Sequence, residues 1–146
     1  MIRLGTPADF AAASGVYRRA SLSNPGDRDF LRAHPENLAL RPEGLAEGRT
    51  YVAERDGVVV GFATWAEADG GMELEGLFVD PDYTRRGIAR ALVREVTEIV
   101  RARGGQRLEV TANPDAIAFY RAAGFTDFGS AETAGGTAPR MVLEIR

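Results

Sequence analysis

The stretch Leu74–Leu92, LEGLFVDPDYTRRGIARAL, limits the fold most, because it reads as a strand, a tight turn and the opening of a helix. Leu74, Leu77, Phe78 and Val79 form an apolar run that Asp80-Pro81-Asp82 stops, since Pro81 cannot donate to a ladder. Beyond Gly87 the apolar residues Ile88, Leu92, Val96, Ile99 and Val100 recur at helical spacing, with arginine and glutamate between them. The junction Thr84-Arg85-Arg86-Gly87-Ile88-Ala89 therefore falls at a helix N-terminus. Unpaired amide hydrogens and the positive end of the helix dipole make such a place an anion site. Gly87 lets the backbone approach a ligand, Ala89 keeps the next turn slim, and Arg85, Arg86 and Arg90 add positive charge. A diphosphate suits this loop, and so does a plain strand-to-helix turn with solvated arginines; the loop alone does not choose. Two familiar phosphate loops are excluded. The chain has no lysine and no Gly-x-x-x-x-Gly-Lys-Ser/Thr, and only Gly87 of a dinucleotide fingerprint is present.

The rest of the chain supplies elements on both sides of this stretch. Ile2–Gly5 reads as a strand, and Thr6-Pro7-Ala8-Asp9 as a helix start with Thr6 as cap, proline in the first turn and an acid three residues later. That helix is expected to bury Phe10, Ala13, Tyr17 and Ala20 and to end before Asn24-Pro25-Gly26. Residues 27–48 are irregular, with a short helix expected over Asp29–Ala33 and a turn over Pro42–Glu47; such segments often carry specificity. Thr50–Arg55 and Val58–Ala66 read as strands joined by Asp56-Gly57, and Asp69-Gly70-Gly71 leads into the next strand. The long helix ends at Gly104-Gly105, Arg107–Thr111 is a strand, and Asn113-Pro114-Asp115 starts a helix that Gly124 stops. Phe125–Ser130 and Arg140–Ile145 close the chain as a strand pair around a polar loop.

With 146 residues and no linker or repeat, a single domain over 1–146 is the simplest reading. A net charge of −3 and a pI near 5.3 argue against nucleic acid and an anionic membrane surface as partners. No apolar run approaches membrane-spanning length, so a cytoplasmic protein is expected. Without cysteine there is no disulfide, no cysteine-held metal and no acyl-cysteine intermediate; no metal is expected.

Two segments, FVDPDYTRRGIARAL and NPDAIAFYRAAGF, occur in this order with a helix and a strand between them. Together they resemble the GNAT superfamily of N-acetyltransferases, and the element order is similar to that fold along nearly the whole chain. The resemblance implies a mixed α/β fold: a central, mostly antiparallel sheet with a splayed parallel strand pair, flanked by about four helices. One position departs from the family's loop pattern, since Thr84 stands where arginine or glutamine is usual. The implied co-substrate is acetyl-CoA. Its diphosphate would meet the backbone of Arg85, Arg86, Gly87, Ile88, Ala89 and Arg90, its pantetheine arm would pair with Phe78 and Val79 like an added strand, and Asn113 would bond the arm's amides. Asn113 reads equally well as a helix cap.

Acetyl transfer to an amine needs a deprotonated nucleophile, a polarised carbonyl and a proton for the leaving thiolate. Glu73 and Glu75 lie two apart on one strand and share a face, so either is a candidate base, with Glu73 preferred because by resemblance it stands where several family members carry theirs. The alternatives are solvent-facing charges or a lure for a cationic acceptor, to which Glu67 and Asp69 would add. Gly76 suggests a bulge that re-aims Glu75. By resemblance Tyr120 is the general acid, its alternative being a core aromatic with a satisfied hydroxyl, while Phe119 is expected in the core and the Val79 amide at the thioester oxygen. The lone His34 reads as a surface residue, and Trp65, Tyr17, Phe30 and Tyr51 as pocket lining or core. The overall expectation is acetyl transfer to a primary amine, a small molecule in preference to a peptide, by direct attack in a ternary complex. A peptide acceptor, a non-catalytic acyl-CoA-binding module and a homodimer all stay open.

Overall fold

The computed structural model describes residues 1–133 and 136–145. Seven strands form one sheet in the order β1-β2-β3-β4-β5-β7-β6. They are β1 (Ile2–Leu4), β2 (Thr50–Arg55), β3 (Val58–Ala68), β4 (Gly71–Val79), β5 (Arg107–Thr111), β6 (Thr126–Thr133) and β7 (Gly136–Glu144). Five α-helices are found among the described residues: α1 (Phe10–Leu22), α2 (Pro25–Ala33), α3 (Glu43–Ala46), α4 (Ile88–Ala102) and α5 (Ile117–Ala122). The chain divides into two compact units, Met1–Thr64 with Gly76–Glu95, and Trp65–Glu75 with Val96–Arg146, so β3, β4 and α4 each run through both.

In the first unit β1, β2 and β3 are antiparallel neighbours. The Asp56-Gly57 turn between β2 and β3 has φ of 53° and 79°, the pair of positive values that a two-residue hairpin with right-handed twist demands. Ala13, Val16, Leu45, Val52, Val59 and Phe62 form the core, with Tyr17, Leu40 and Phe78 packed on it. Val16 takes the place expected of Phe10, which is 37% exposed. Only Ala13 and Val16 of α1 are buried, with Tyr17 and Ala20 half-buried beside them, so Phe10 opens the helix at the margin of the stripe. α2 also begins earlier than the expected Asp29, at Pro25, which fits a first helical turn because its missing N–H has no partner to lose there. The start of the chain is held by charge. Arg3 donates to both oxygens of Asp9 (2.9 and 2.8 Å) and to Glu54 (2.7 Å), and the Thr6 N–H donates to Asp9 (2.8 Å). These bonds hold the Asp9 carboxyl down at about 2.

In the second unit β4 and β5 run parallel, in register from Gly71↔Arg107 to Leu74↔Val110. Gly71 admits no other residue, because a Cβ there would lie 1.9 Å from the Arg107 carbonyl oxygen. Met72 and Leu74 on β4, Leu108 and Val110 on β5 and Met141 on β7 are buried, leaving Glu73, Glu109 and their odd-numbered neighbours to the other face. β6 and β7 are longer than the expected Phe125–Ser130 and Arg140–Ile145, pairing as far as Thr133↔Gly136; of the expected loop, 134 and 135 lie outside the described residues. The parallel ladder stops at Leu74, although β4 continues to Val79.

Candidate active site

The loop after β4 is built from Asp80. Its N–H donates to the Val60 carbonyl (2.7 Å) and its carboxylate caps a 3-10 turn over Pro81–Tyr83 by accepting the Asp82 N–H (3.0 Å). The Thr84 hydroxyl donates back to Pro81 O (3.1 Å), closing that turn. Arg85 then takes φ of 64° and Gly87 φ of 80°, both left-handed; the value is ordinary for glycine and strained for arginine. A Cβ on Gly87 would project into open space. The backbone thereby turns into α4 with its first N–H groups unspent, as every helix start must; among the described residues no N–H from Thr84 to Arg90 donates to a protein acceptor. Arg85, Arg86 and Arg90 are exposed around them, Arg86 over the Tyr83 ring at 5.0 Å, whereas the Ile88 side chain is buried and offers only its backbone. An anion with several oxygens fits this end. Upstream, Phe78 and Val79 are half-buried, Phe78 packing edge-on to Tyr17 (4.8 Å).

Glu73 and Glu75 face the same way on β4, but their settings differ. Both Glu73 oxygens accept from Nη1 of Arg140 on β7 (2.6 and 2.8 Å). The same guanidinium donates to Thr111 (2.9 Å) and Glu109 (3.0 Å) on β5 and lies over the Phe128 ring at 5.3 Å. Glu73 is thus one arm of a four-residue polar cluster, while Glu75 is exposed. Glu67 has its own arginine, Arg103, at 3.4 Å, so at least two of the acids expected to draw a cation, Glu67 and Glu73, carry positive partners. Sequence reasoning missed Arg140 and Glu109. The only trace was the alternation of polar 107, 109 and 111 with apolar Leu108 and Val110, which assigns a face and not a partner.

Asn113 caps a 3-10 turn over Pro114–Ala116, its Oδ1 accepting the Asp115 N–H at 2.9 Å, ahead of α5. Tyr120 on α5 is 6% exposed, its ring edge-on to Phe119 and Phe125 at 5.2 Å each. Phe119, expected in the core, is only half-buried; Tyr120 is the inward residue. Burial pushes the Tyr120 hydroxyl well above the ordinary tyrosine range, and among the described residues that hydroxyl has no hydrogen-bond partner. It is a neutral donor with its proton uncommitted. Tyr17 differs, since its hydroxyl donates to Asn37 O (2.8 Å). His34 is exposed beside Glu36, and Trp65 is 2% exposed.

The model of the Acetyltransferase (GNAT) family matches residues 13–125, which include the β4–α4 loop and both glutamates and reach past Tyr120. The chain belongs to the GNAT acetyltransferase family. Streptothricin acetyltransferase of Streptomyces lavendulae is 34% identical to this GNAT chain over 116 residues, 72% of the chain and 61% of that protein. The peptidyl-lysine N-acetyltransferase YiaC of Escherichia coli (strain K12) is 38% identical over 87 residues, 59% of the chain and 56% of that protein. The chain spans between 37% and 61% of the length of the first curated relatives it matches. In fold it is similar to the PaiA N-acetyltransferase of Thermoplasma acidophilum, solved in complex with coenzyme A. The TM-score is 0.79 at 20% identity, covering 99% of this chain and 98% of the other. Among the described residues, no helix is long and apolar enough to cross a membrane.

Proposed function

We propose that this GNAT chain moves an acetyl group from acetyl-CoA to a primary amine by direct attack of the amine. One observation supports the reading: the parallel register of β4 with β5 ends at Leu74 while β4 itself runs on to Val79, into a loop whose helix-start N–H groups have no backbone acceptor among the described residues. A strand edge with free polar groups needs a partner, and a helix start flanked by arginines favours a diphosphate.

When bound, acetyl-CoA supplies a thioester with an electrophilic carbonyl and a thiolate leaving group. The N–H groups from Arg85 to Arg90 hold the diphosphate, with Arg85, Arg86 and Arg90 as counter-charge; Arg85 compensates for the hydroxyl of Thr84, which is spent on Pro81. The main chain of Phe78 and Val79 pairs with the pantetheine arm, and the Val79 N–H polarises the thioester carbonyl. Asn113 contributes to the same arm. A carboxylate on β4 removes the ammonium proton, at a cost of roughly 4–5 kcal/mol for an ordinary alkyl amine at neutral pH. Glu73, which shares Arg140 with Glu109, and exposed Glu75 are the two carboxylates we consider for that task. Tyr120 donates the proton that the leaving thiolate needs.

A small cationic amine is the acceptor we favour, supported by the relative that acts on streptothricin. A peptide lysine is the second reading, favoured by the peptidyl-lysine relative. Calorimetric titration with acetyl-CoA followed by thiol release across amines and lysine peptides separates them. Micromolar binding with turnover on one class is expected. Binding without turnover on either class would leave an acyl-CoA-binding module, and absent binding would remove the proposal.

A further inference from the structure

Arg19 lies on α1, sixty-one residues from the loop that it touches, and has no part in the roles assigned above. Its Nε and Nη2 both donate to Oδ2 of Asp80, at 2.9 and 2.7 Å. Asp80 is 8% exposed, and that guanidinium places two donors on one of its carboxylate oxygens. The other carboxylate oxygen, Oδ1, holds the Asp82 N–H, and the Asp80 carbonyl accepts the Tyr83 N–H at 2.8 Å. One side chain on α1 thus fixes the residue from which the loop's first turn is built. Two residues after Tyr83, Arg85 stands in a left-handed conformation that a non-glycine residue keeps only where its surroundings over-determine it.

The helix makes room for the contact. Helical side chains lean toward the N-terminus, so Arg19 folds back over Gly15, one turn earlier. A Cβ built on Gly15 would come within 3.0 Å of Arg19 Nη1, 3.7 Å of its Cζ and 3.8 Å of Nη2. Glycine inside a helix is unfavourable, and here the bare position leaves the guanidinium its path.

We infer that Arg19 is a positioning residue, which through Asp80 holds the Thr84–Arg90 backbone in the conformation that receives a diphosphate. The inference rests on the acetyl-CoA reading for its ligand and on geometry alone for the positioning. The test therefore has two arms on the full chain. Amide hydrogen exchange of the free protein should show residues 81–90 opening at least fivefold faster in Arg19→Gln, with β2 and β5 unchanged. Calorimetry should show a five- to tenfold weaker Kd for acetyl-CoA, with kcat at saturation within twofold of wild type. Arg19→Lys, which keeps the charge and one donor, should fall between the two in both arms, a rescue that a purely helical defect would not give. Exchange in 81–90 unchanged in both variants, or raised equally across the whole unit, overturns the inference. Faster local exchange in a protein that binds no acetyl-CoA supports the positioning and overturns only the choice of ligand.

Discussion

Replacing Tyr120 by phenylalanine separates chemistry from structure, because it removes one oxygen and leaves the ring packed on Phe119 and Phe125. A buried hydroxyl serving as a structural bond contributes about 1 kcal/mol, and losing it would lower Tm by about 2–4 °C in a chain of this size. Among the described residues the Tyr120 hydroxyl has no partner, so its removal orphans none there, and a Tm change below about 2 °C is expected. The catalytic loss is far larger if that oxygen protonates the leaving thiolate. General-acid donation contributes about 10²–10⁴-fold, so kcat should fall at least about 100-fold, equivalent to roughly 2.7 kcal/mol of barrier. The assay is steady-state release of free thiol at saturating acetyl-CoA, beside thermal unfolding of both proteins. The pH profile adds a check. Burial raises the hydroxyl's pKa, so the acid form persists through the alkaline range where free tyrosine ionises. No loss of wild-type activity below about pH 10 should therefore trace to this residue. A kcat within twofold of wild type would remove Tyr120 from the mechanism. A 100-fold loss accompanied by a 4 °C drop in Tm would show that the hydroxyl is structural.

Three further outcomes are expected. Glu75→Gln should lower kcat/KM at least about tenfold if it is the base, whereas Glu73→Gln, which leaves Arg140 one carboxylate short, should lower unfolding free energy by about 1 kcal/mol in denaturant titrations. Gly87→Ala puts a side chain at φ of 80°, at a cost of about 1 kcal/mol, and should weaken acetyl-CoA binding about tenfold by calorimetry. Asp9, held near 2 by Arg3 against 3.8 for a free carboxyl, contributes stability that is fully present above pH 4 and lost as pH falls toward 2. That contribution is about 1–2 kcal/mol and should vanish from the pH dependence of unfolding in Asp9→Asn.

Local chemistry was readable residue by residue. Asp56-Gly57 announced its hairpin because few residues accept two positive φ values in succession; Gly87, read as a close approach for a ligand, also takes a positive φ. The two-residue spacing put Glu73 and Glu75 on one face of β4, and the two motifs around Gly87 and Tyr120 resemble the GNAT family. Where a neighbour decides, the sequence is silent. Phe10 is apolar and helical yet sits at the margin of the stripe, and Phe119 exchanges places with Tyr120 because α5 is short and presents a narrow inner face.

The sequence by itself therefore determined the elements, their order and the candidate chemistry, since these follow from φ preferences, spacing of two or 3.6 residues and side-chain type. Only tertiary structure decided that Arg140 reaches across from β7 to Glu73 and Glu109, and that Arg19 reaches from α1 to Asp80. Those pairs are separated by 67, 31 and 61 residues. A charge in a sequence carries no record of its partner; which strands lie side by side, and which helix crosses them, determines whether a carboxylate is free to take a proton or is already held by a guanidinium.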